Sequence, residues 1–290
     1  MKVAFQGEPG AFSEEASTGY FNAPENVPCE TFEAIFASVT SGKCEFGLIP
    51  IENSLAGSIH QNYDLLLQNE LYIVGEYFLR VRHCLIGFPG VTKLEIKKVI
   101  SHPQALGQCA GYLRGMGVKT EPVYDTAGSV KILKASGEHT TAAIASHKAA
   151  EIHGMQILQE GIEDNPENFT RFLAIALEPV IPYGEAKTSI VFILKNQPGA
   201  LFKALSVFAL REIDLTKIES RPLAGKPWEY LFYIDFIGAL EEERVKKALD
   251  HLGEYAVMLR VFGSYSRAAI AVESQSSKSR QQSQTTISPC

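Results

Sequence analysis

The sequence predicts an α/β protein of two domains, and three observations support this prediction. At 290 residues the chain is long for one hydrophobic core and comfortable for two. Residues 1–178 alternate short apolar runs with helical periodicity, which is typical of layered α/β domains. Residues 187–266 instead follow the order β-α-β-β-α-β of a ferredoxin-like unit. We therefore expect a linker at residues 179–186 and a tail at residues 267–290.

In the first domain the pattern predicts strands that are separated by amphipathic helices. The apolar runs expected to form strands are residues 2–6, 46–51, 71–74, 99–101 and 142–146. Apolar residues at helical spacing predict helices around residues 32–39 and 59–67. The elements divide into two lobes near Glu76, and a last strand at residues 171–177 is expected to return to the first lobe. Because ligands of α/β sheets bind where strand ends and helix starts converge, we expect the site in the cleft between the lobes.

The second domain is expected to contain four strands and two helices. The strands are predicted at residues 187–194, 213–220, 230–236 and 256–262, and the helices at residues 200–209 and 241–252. Two prolines and a glycine in residues 178–184 indicate the linker. After Ala271 the chain is rich in serine and glutamine and has little to bury, so the tail is predicted to be disordered.

Composition argues against several classes of function. A formal net charge of −6 is not compatible with the concentrated basic face that nucleic-acid binding needs. The five cysteines contain no C-x-x-C pair, which favours reduced thiols over a zinc site or a disulfide framework. The chain opens on a strand-like run, and no window approaches the roughly 18 apolar residues of a membrane helix. We therefore expect a cytoplasmic protein, or one of the plastid stroma if a transit peptide has been removed.

Polar and aromatic residues alternate at the start of the last strand of the first domain. In residues 168–172, Arg171 lies between two aromatic residues, and its guanidinium needs a solvated or charged partner. The rigid donor fork of arginine matches a carboxylate, so Arg171 is a candidate substrate anchor and Thr170 a candidate hydroxyl donor beside it. The alternative is that Arg171 pairs with a structural acid, namely Glu163, Asp164 or Glu167.

Residues 50–54 place polar side chains directly after another predicted strand. Asn53 and Ser54 can donate hydrogen bonds to a carboxylate or a hydroxyl, and Glu52 precedes them. The alternative is an Asx-type turn or a serine cap that leads into the next helix. The residues alone leave these two interpretations about equally open.

Three further turns connect a predicted strand to a helix. Residues 6–13 contain two glycines and open a helix, so their free N–H groups could hold an organic anion. They contain neither the Walker lysine nor a G-x-G-x-x-G pattern, so nucleotide binding is not predicted. At residues 101–106 and 125–129 the alternative to ligand binding is capping of the helix by serine, aspartate or threonine side chains.

The seven histidines form no H-E-x-x-H pattern, and no G-x-S-x-G elbow is present. The residues therefore predict a cofactor-free α/β cleft that suits a small anion, joined to a ferredoxin-like module.

Five short motifs resemble those of the prephenate dehydratases, in the order usual for that family. They are PIENS at residues 50–54, SHPQAL at 101–106, DTAG at 125–128, AIAS at 143–146 and TRF at 170–172. In the second domain, GALF at residues 199–202 and ESRP at 219–222 resemble the two phenylalanine-binding motifs of the attached ACT regulatory domain.

The resemblance implies a two-lobed, periplasmic-binding-protein-like dehydratase domain followed by a ferredoxin-like ACT domain. It implies the conversion of prephenate to phenylpyruvate with loss of water and carbon dioxide, without a metal or another cofactor. The implied catalytic residues are Thr170, Arg171, Asn53 and Ser54. The implied substrate-binding residues are Glu52, Ser101, His102, Gln104, Thr126 and Phe172.

The resemblance also implies feedback inhibition by L-phenylalanine, bound where ACT domains pair in a homodimer or homotetramer. The implied effector-binding residues are Gly199, Ala200, Leu201, Phe202, Glu219, Ser220 and Arg221.

Two other functions remain open from the sequence. Arogenate dehydratases share nearly all these motifs, and their substrate carries an amino group in place of the keto oxygen of prephenate. Two-lobed clefts and ACT modules also occur in non-catalytic amino-acid sensors, although the pair of Thr170 and Arg171 argues against that function.

Overall fold

The computed structural model describes residues 1–223, 225–226 and 229–269. The tail predicted at residues 267–290 therefore lies, from residue 270 onward, outside the described residues.

The first lobe contains most of the first 80 residues and one strand that returns to it. Its elements are β1 (Lys2–Gln6), α1 (Phe12–Tyr20), β2 (Glu25–Cys29), α2 (Phe32–Thr40), β3 (Phe46–Asn53), β4 (Gly57–Ser58), α3 (His60–Gln68), β5 (Tyr72–Arg80) and the returning β11 (Phe169–Ala176). The main sheet has the order β2-β1-β3-β11-β5, and β11 is antiparallel to both of its neighbours. The predicted return of the last strand is confirmed, and it places the start of β11 beside the end of β3.

The second lobe is inserted between β5 and β11. Its elements are β6 (Cys84–Gly87), β7 (Lys98–Ser101), α4 (Pro103–Gln108), α5 (Ala110–Met116), β8 (Lys119–Pro122), α6 (Thr126–Ser136), β9 (Thr141–Ala145), α7 (His147–His153) and β10 (Gln156–Glu160). The sheet has the order β10-β6-β9-β7-β8. Because β7, β8 and β9 are parallel, the turns that follow them meet at one edge, which faces the first lobe.

The chain crosses between the lobes after β5 and again before β11. Since β5 pairs with β11 as far as Arg80, the first crossing falls at residues 81–83, later than the division predicted near Glu76. The two crossings are joined by backbone hydrogen bonds, from Val81 N to Asn168 O at 2.7 Å and from Ile162 N to His83 O at 3.1 Å. Residues from both lobes therefore converge at the crossing.

Local sequence explains why the helices begin and end where they do. Thr31 caps α2 by accepting from Ala34 N, and the apolar stripe predicted for that helix is buried. Asp125 and Ser146 cap α6 and α7 in the same way. Both helices end at a glycine with positive φ, which L side chains rarely adopt. These caps hold the start of each helix at the edge that faces the first lobe.

The second domain has the predicted β-α-β-β-α-β order. Its elements are β12 (Ala186–Leu194), α8 (Ala200–Ala209), β13 (Leu215–Pro222), β14 (Tyr230–Ile237), α9 (Glu243–Tyr255) and β15 (Ala256–Ser266). The antiparallel sheet has the order β13-β14-β12-β15. One face of this sheet packs on α8 and α9 through Phe192, Phe208 and Phe236.

The other face of the second-domain sheet packs on the first lobe. Tyr233, Phe262 and Tyr265 join one apolar cluster with first-lobe residues such as Leu173 and Ile175. The sheet is therefore buried on both faces, between its own helices and the back of the first lobe.

Candidate active site

The ends of β3 and β11 place two polar side chains side by side at the lobe crossing. Asn53 and Thr170 are register partners in the antiparallel pair, and both are largely buried. The Asn53 amide nitrogen donates to Thr170 Oγ1 at 3.0 Å. Their neighbourhood in the cleft follows from the strand pairing, because residues opposite each other in a sheet share a face.

Backbone groups fix the orientation of the Asn53 amide. Asn53 Oδ1 accepts from Leu55 N at 3.0 Å and from Ala56 N at 2.9 Å. Since backbone N–H groups only donate, Nδ2 must be the atom that points to Asn168 Oδ1 at 2.8 Å and to Thr170. The turn after β3 thus holds the amide as a donor to Thr170. It is an Asx-type turn, so the alternative interpretation of residues 50–54 describes the same structure.

The hydrogen-bond chain continues from Asn168 into the second lobe. Asn168 Nδ2 donates to Gln108 Oε1 at 3.0 Å, and His83 Nε2 lies 2.8 Å from the same oxygen. A carbonyl oxygen accepts only, so His83 carries its proton on Nε2. The buried Nδ1 of His83 has no partner in the described residues. Burial lowers the pKa of His83 and so favours the neutral ring. The bond with Gln108 and the charge of Glu163 act in the opposite direction but do not outweigh burial.

This series of hydrogen bonds leaves the hydroxyl proton of Thr170 free to be donated. Thr170 Oγ1 is held as an acceptor by Asn53, and no acceptor for the Thr170 hydroxyl proton lies among the residues that the structure describes. A hydroxyl can accept and donate at once, so Thr170 can donate to a molecule bound in the cleft.

Ser54 is held in the backbone of the same corner. Its hydroxyl donates to Glu167 O at 2.8 Å and accepts from Phe169 N at 3.0 Å. Ser54 therefore fixes the start of β11, one residue before Thr170.

The second lobe contributes the turns that begin α4 and α6. His102 Nδ1 accepts from Gln104 N at 3.2 Å, which leaves Nε2 as the donor of the neutral ring. Gln104 lines a cavity of about 330 Å³ together with Gln108 and the Leu55–Ala56 turn of the first lobe. Thr126 is half-buried at the start of α6. His102, Gln104 and Thr126 thus lie at the starts of α4 and α6, and Gln104 is the one of them that shares a cavity with the first lobe.

Ser101 is placed differently from the sequence-based expectation. It is fully buried and donates to Ile144 O at 2.7 Å, so its hydroxyl proton joins β7 to β9. The structure gives Ser101 a supporting position beneath the turn.

The loop at residues 7–11 bridges the lobes. Ser146 Oγ donates to Gly10 O at 2.5 Å, and Glu8 lies 3.2 Å from Lys131 Nζ. The Gly10 N–H, which the sequence offered to an organic anion, already donates to Glu14 Oε2 at 2.6 Å. The loop therefore closes one side of the cleft by its own contacts.

Arg171 points away from the cleft. Adjacent residues of a strand face opposite sides, and Arg171 lies on the side of the second domain. Its Nε donates to Glu76 Oε2 at 2.8 Å, its Nη1 to Asp235 Oδ2 at 2.5 Å and its Nη2 to Tyr265 Oη at 3.0 Å. Lys187 Nζ lies 2.7 Å from Glu76 Oε1. Arg171 is only 7% exposed and its charge is paired within the protein, which differs from the predicted contact with substrate.

The geometry matches the alternative interpretation, in which Arg171 belongs to a structural ion pair. The acids that pair with it differ from the three that were predicted. Glu163, Asp164 and Glu167 make different contacts: for example, Glu163 accepts from His83 N at 2.9 Å. The acids that bind Arg171 lie 95 and 64 residues away in sequence.

Glu52 and Phe172 also lie outside the cleft. Glu52 Oε2 is 3.0 Å from Lys217 Nζ of the second domain. Phe172 is 2% exposed and packs in the first-lobe core with Leu48 and Leu79. The structure therefore places neither side chain where the predicted substrate contact would occur.

The two predicted effector motifs lie at the same end of the second-domain sheet. Gly199 has φ of 76° and begins α8, and Leu201 and Phe202 are exposed on its first turn. Ser220 pairs with Phe232 on the helical side of the sheet. Ala200 lies at the first position of α8.

Glu219 and Arg221 point to the other side of the sheet. Glu219 accepts from Ser58 Oγ at 2.7 Å, and Arg221 lies 3.3 Å from Asp64 Oδ2. Both side chains therefore bind the first lobe, which differs from the predicted contact with an effector.

Sequence reasoning did not identify Gln108, Asn168 or His83 as site residues. A signal existed for Gln108, because it lies four residues after Gln104 and thus on the same helical face. Asn168 directly precedes the motif that contains Thr170. His83 is the residue for which the sequence offered no signal, since its importance comes from the lobe crossing.

A two-lobed α/β domain with a polar cleft, joined to a ferredoxin-like module, is typical of proteins that bind small molecules and carry a separate regulatory domain. The prephenate dehydratase family model matches residues 3–180, and the ACT domain model matches residues 188–254. The chain therefore belongs to the prephenate dehydratase family, hydro-lyases of phenylalanine biosynthesis, and carries an ACT domain. Its activity is the conversion of prephenate to phenylpyruvate.

Similar proteins are known from plants and bacteria. Arogenate dehydratase/prephenate dehydratase 1, chloroplastic, from Arabidopsis thaliana is 48% identical over 281 residues, which cover 91% of this chain and 72% of that protein. The prephenate dehydratase from Arthrobacter aurescens, solved in complex with L-Phe, is 31% identical with a TM-score of 0.85, over 92% of this chain and 90% of that chain. A protein described as GqqA, a novel type of quorum quenching acylase, is 35% identical with a TM-score of 0.85, over 91% of this chain and 97% of that chain.

Within the described ranges, no helix combines the length and the apolar character needed to span a bilayer.

Proposed function

We propose that the dehydration occurs in the interlobe cleft and that Thr170 donates a hydrogen bond to the departing hydroxyl group of prephenate. The observation that carries the proposal is the arrangement of Asn53 and Thr170, in which the threonine oxygen is held and its proton is left without an acceptor in the described residues. The site therefore presents an oriented donor to the cleft.

The reaction needs little more than such a donor. The bond between the ring carbon and the hydroxyl breaks with its electron pair on oxygen, and the ring carboxylate leaves as carbon dioxide. The electron pair of the broken carbon–carbon bond enters the ring, which becomes aromatic. The hydroxide that leaves takes a proton from the solvent and becomes water. Aromatisation drives the reaction, so the protein has to orient the dianion and stabilise charge on the departing oxygen.

Thr170 is too weak an acid to transfer its proton fully at neutral pH, because efficient general acids have pKa values near the working pH. Its role is electrostatic, since a preorganised donor stabilises the charge that develops on the oxygen. Asn53 acts through Thr170 by fixing its oxygen, and Ser54 acts by fixing the start of β11.

The two carboxylates of the substrate are bound by donors other than Arg171. His102 Nε2, the Gln104 amide and the Thr126 hydroxyl lie on the second-lobe edge of the cleft. At the start of α6 the Asp125 carboxylate caps the helix by accepting from Gly128 N at 2.6 Å, so the Thr126 hydroxyl is the donor that this turn offers.

Substitution of Thr170 tests the proposal. Thr170→Ala should lower kcat on prephenate by about 10²- to 10³-fold with KM nearly unchanged, as loss of an oxyanion donor does. Thr170→Ser keeps the hydroxyl and should retain most of the turnover. The assay follows the ultraviolet absorbance of phenylpyruvate. Turnover by Thr170→Ala equal to that of the wild type would remove Thr170 from the mechanism.

Arogenate is the second candidate substrate, because the Arabidopsis relative is named for both activities. Arogenate and prephenate share the ring, its hydroxyl and its carboxylate, so the same Thr170 contact serves both. The ratio of kcat/KM for the two substrates decides between them. The chloroplastic location of that relative makes the plastid stroma the compartment to test first.

The ACT domain supplies the proposed site for phenylalanine. The Arthrobacter aurescens enzyme was solved with L-Phe, and here the turn from Gly199 to Phe202 and Ser220 lie at one end of the ACT sheet. Phe202 is 76% exposed, which fits a surface that is covered by a second ACT domain in a homodimer or homotetramer. Calorimetry with phenylalanine, together with light scattering for the mass, tests both parts. Absence of binding heat would contradict the effector site.

A further inference from the structure

Six buried polar residues join the catalytic strand to the ACT sheet. We call them the interdomain ion cluster: Glu76, Arg171, Lys187, Ser189, Asp235 and Tyr265. Glu76 and Arg171 belong to the first lobe, and the other four belong to the ACT domain. Every member is less than 9% exposed. The cluster is the buried part of an interface that also contains more exposed ion pairs, such as those of Lys217 with Glu52 and of Arg221 with Asp64.

The cluster is neutral and its members satisfy one another. Two cations face two carboxylates, and Ser189 Oγ donates to Asp235 Oδ1 at 2.6 Å. Burial alone raises the pKa of Asp235, but the charge of Arg171 and the bond from Ser189 outweigh it and hold the pKa below its usual value. Charges removed from water are tolerated only with such complete pairing. A shift of the ACT sheet against the first lobe would therefore pull on these paired charges.

Arg171 is one peptide unit from Thr170, at an irregular point of the strand. Pairing between β11 and β3 shifts register between Arg171 and Phe172, where Ile51 is skipped. Such bulges occur next to active sites, where they aim a side chain. A movement of Arg171 on one face of β11 therefore changes the direction of Thr170 on the other face.

The surroundings leave room for such a movement. A cavity of about 600 Å³ borders Arg171 and Lys187 between the first lobe and the ACT domain. The cluster is thus held by its ion pairs, while Arg171 and Lys187 also border an open cavity.

We propose that Arg171 is a positioning residue through which the ACT domain sets the geometry of Thr170. The cluster holds β11 in the register that aims Thr170 into the cleft, and a ligand on the ACT domain reaches the active site by straining the bond between Arg171 and Asp235. A ligand regulates only if it binds one arrangement better than another, and the cluster is the element that both sites share. This inference rests on the proposed role of Thr170.

Asp235 gives the sharpest test, because it lies in the ACT domain and on the far side of β11 from the cleft. Asp235→Asn keeps the shape of the side chain and removes its charge. We expect kcat to fall roughly 10- to 100-fold with KM little changed, since a misplacement of about 1 Å at a reacting group costs up to 10²-fold. Phenylalanine should still bind by calorimetry, but should change kcat much less than it does in the wild type. Asp64→Asn is the matched control, since it removes the more exposed interdomain pair with Arg221 and should leave kcat unchanged.

Folding is monitored by circular dichroism so that lost structure is not mistaken for lost positioning. If Asp235→Asn does not fold, Ser189→Ala replaces it, because this change loosens Asp235 without leaving a buried charge unpaired. Ser189→Ala should give a smaller fall in kcat, again with KM little changed. Arg171→Lys keeps the charge but cannot donate to Glu76, Asp235 and Tyr265 at once as the guanidinium does, so it should also lower kcat without raising KM.

Three results would overturn the inference. A folded Asp235→Asn protein with the kcat and phenylalanine response of the wild type would show that the cluster is only structural. A large rise in KM for Arg171→Lys, without an effect of Asp235→Asn, would make Arg171 a substrate anchor. A wild-type protein that turns over neither prephenate nor arogenate would remove the proposed function itself, which separates that failure from the other two.

Discussion

At the scale of single residues, the orientation of one amide organises the active site. Asn53 accepts from two backbone N–H groups, so its nitrogen is turned toward Thr170 and Asn168. From there the direction of each hydrogen bond follows as far as His83. The donor that Thr170 presents to the cleft is therefore set by the backbone of the turn after β3.

Asn53→Asp tests this orientation with almost no change in shape. Aspartate can still accept from Leu55 and Ala56, but it has no N–H for Thr170 and would itself accept the threonine proton. We expect kcat to fall about 10²- to 10³-fold in a folded protein, because the donor is withdrawn from the substrate. Asn69→Asp is the control, since Asn69 binds Leu65 O at the end of α3 and should leave kcat unchanged. Normal turnover of Asn53→Asp would contradict the orientation.

His83 should make stability depend on pH. Its pKa is lowered in the folded protein by burial, so below about pH 6.5 the unfolded chain binds more protons than the folded one. The contribution of neutral His83 to the free energy of unfolding is fully present above that pH and is lost as the pH falls through the folded pKa. The loss is about 1.4 kcal/mol for each pH unit by which the unfolded and folded pKa values differ.

His83→Gln keeps a donor for Gln108 and does not titrate. Urea unfolding at neutral and mildly acidic pH should show a smaller loss of stability for His83→Gln than for the wild type. His251→Gln, in α9 of the ACT domain, is the control and should follow the wild type. Equal losses in all three proteins would contradict the role given to burial of His83.

The resemblance implied that Asn53, Ser54 and Thr170 are catalytic residues, and the strand pairing brings the three together. For Arg171 the sequence left open a substrate contact or a structural ion pair, and in the structure Arg171 is paired with Glu76 and Asp235. Adjacent strand residues face opposite sides, which favours an ion pair for Arg171 when Thr170 faces the cleft. What the sequence could not show is which acids bind Arg171, because Glu76 and Asp235 come from other strands.

At the scale of elements, hydrophobic periodicity located the strands and helices that have one apolar face. The predicted helix at residues 200–209 coincides with α8, and the strand at residues 2–6 coincides with β1. Apart from β6, whose four residues are all buried, the strands that were not predicted carry little apolar signal. All four residues of β8 are exposed, and β10 is an edge strand with polar ends. Such strands form because a neighbouring strand offers backbone hydrogen bonds.

The contact between β15 and β5 is unusually close. A Cβ atom on Gly263 would overlap the carbonyl oxygen of Ile73, so only glycine allows the two backbones to approach. Gly263→Ala should destabilise the protein by roughly 1–3 kcal/mol, as overpacking does. Gly253→Ala is the control, because the space around Gly253 in α9 is open and alanine favours a helix. Urea unfolding measures both, and equal stability of the two variants would contradict the close approach.

At the scale of the whole molecule, the ACT domain covers the back of the sheet whose edge forms the active site. The sequence predicted the order of the domains and a cleft between two lobes, since both follow from local patterns. It could not predict the packing of the ACT sheet on the first lobe, because that contact joins residues that are far apart in the chain. As a result, one strand, β11, carries Thr170 of the proposed active site and also Arg171, which binds the ACT domain.

The most direct test of the central claim is a crystal structure with a non-reactive analogue of prephenate in the cleft. Thr170 Oγ1 should lie within about 3 Å of the ring hydroxyl oxygen, the distance of a hydrogen bond, while Arg171 stays bound to Glu76 and Asp235. A ring hydroxyl that contacts another residue instead, or a substrate carboxylate bound to Arg171, would contradict it.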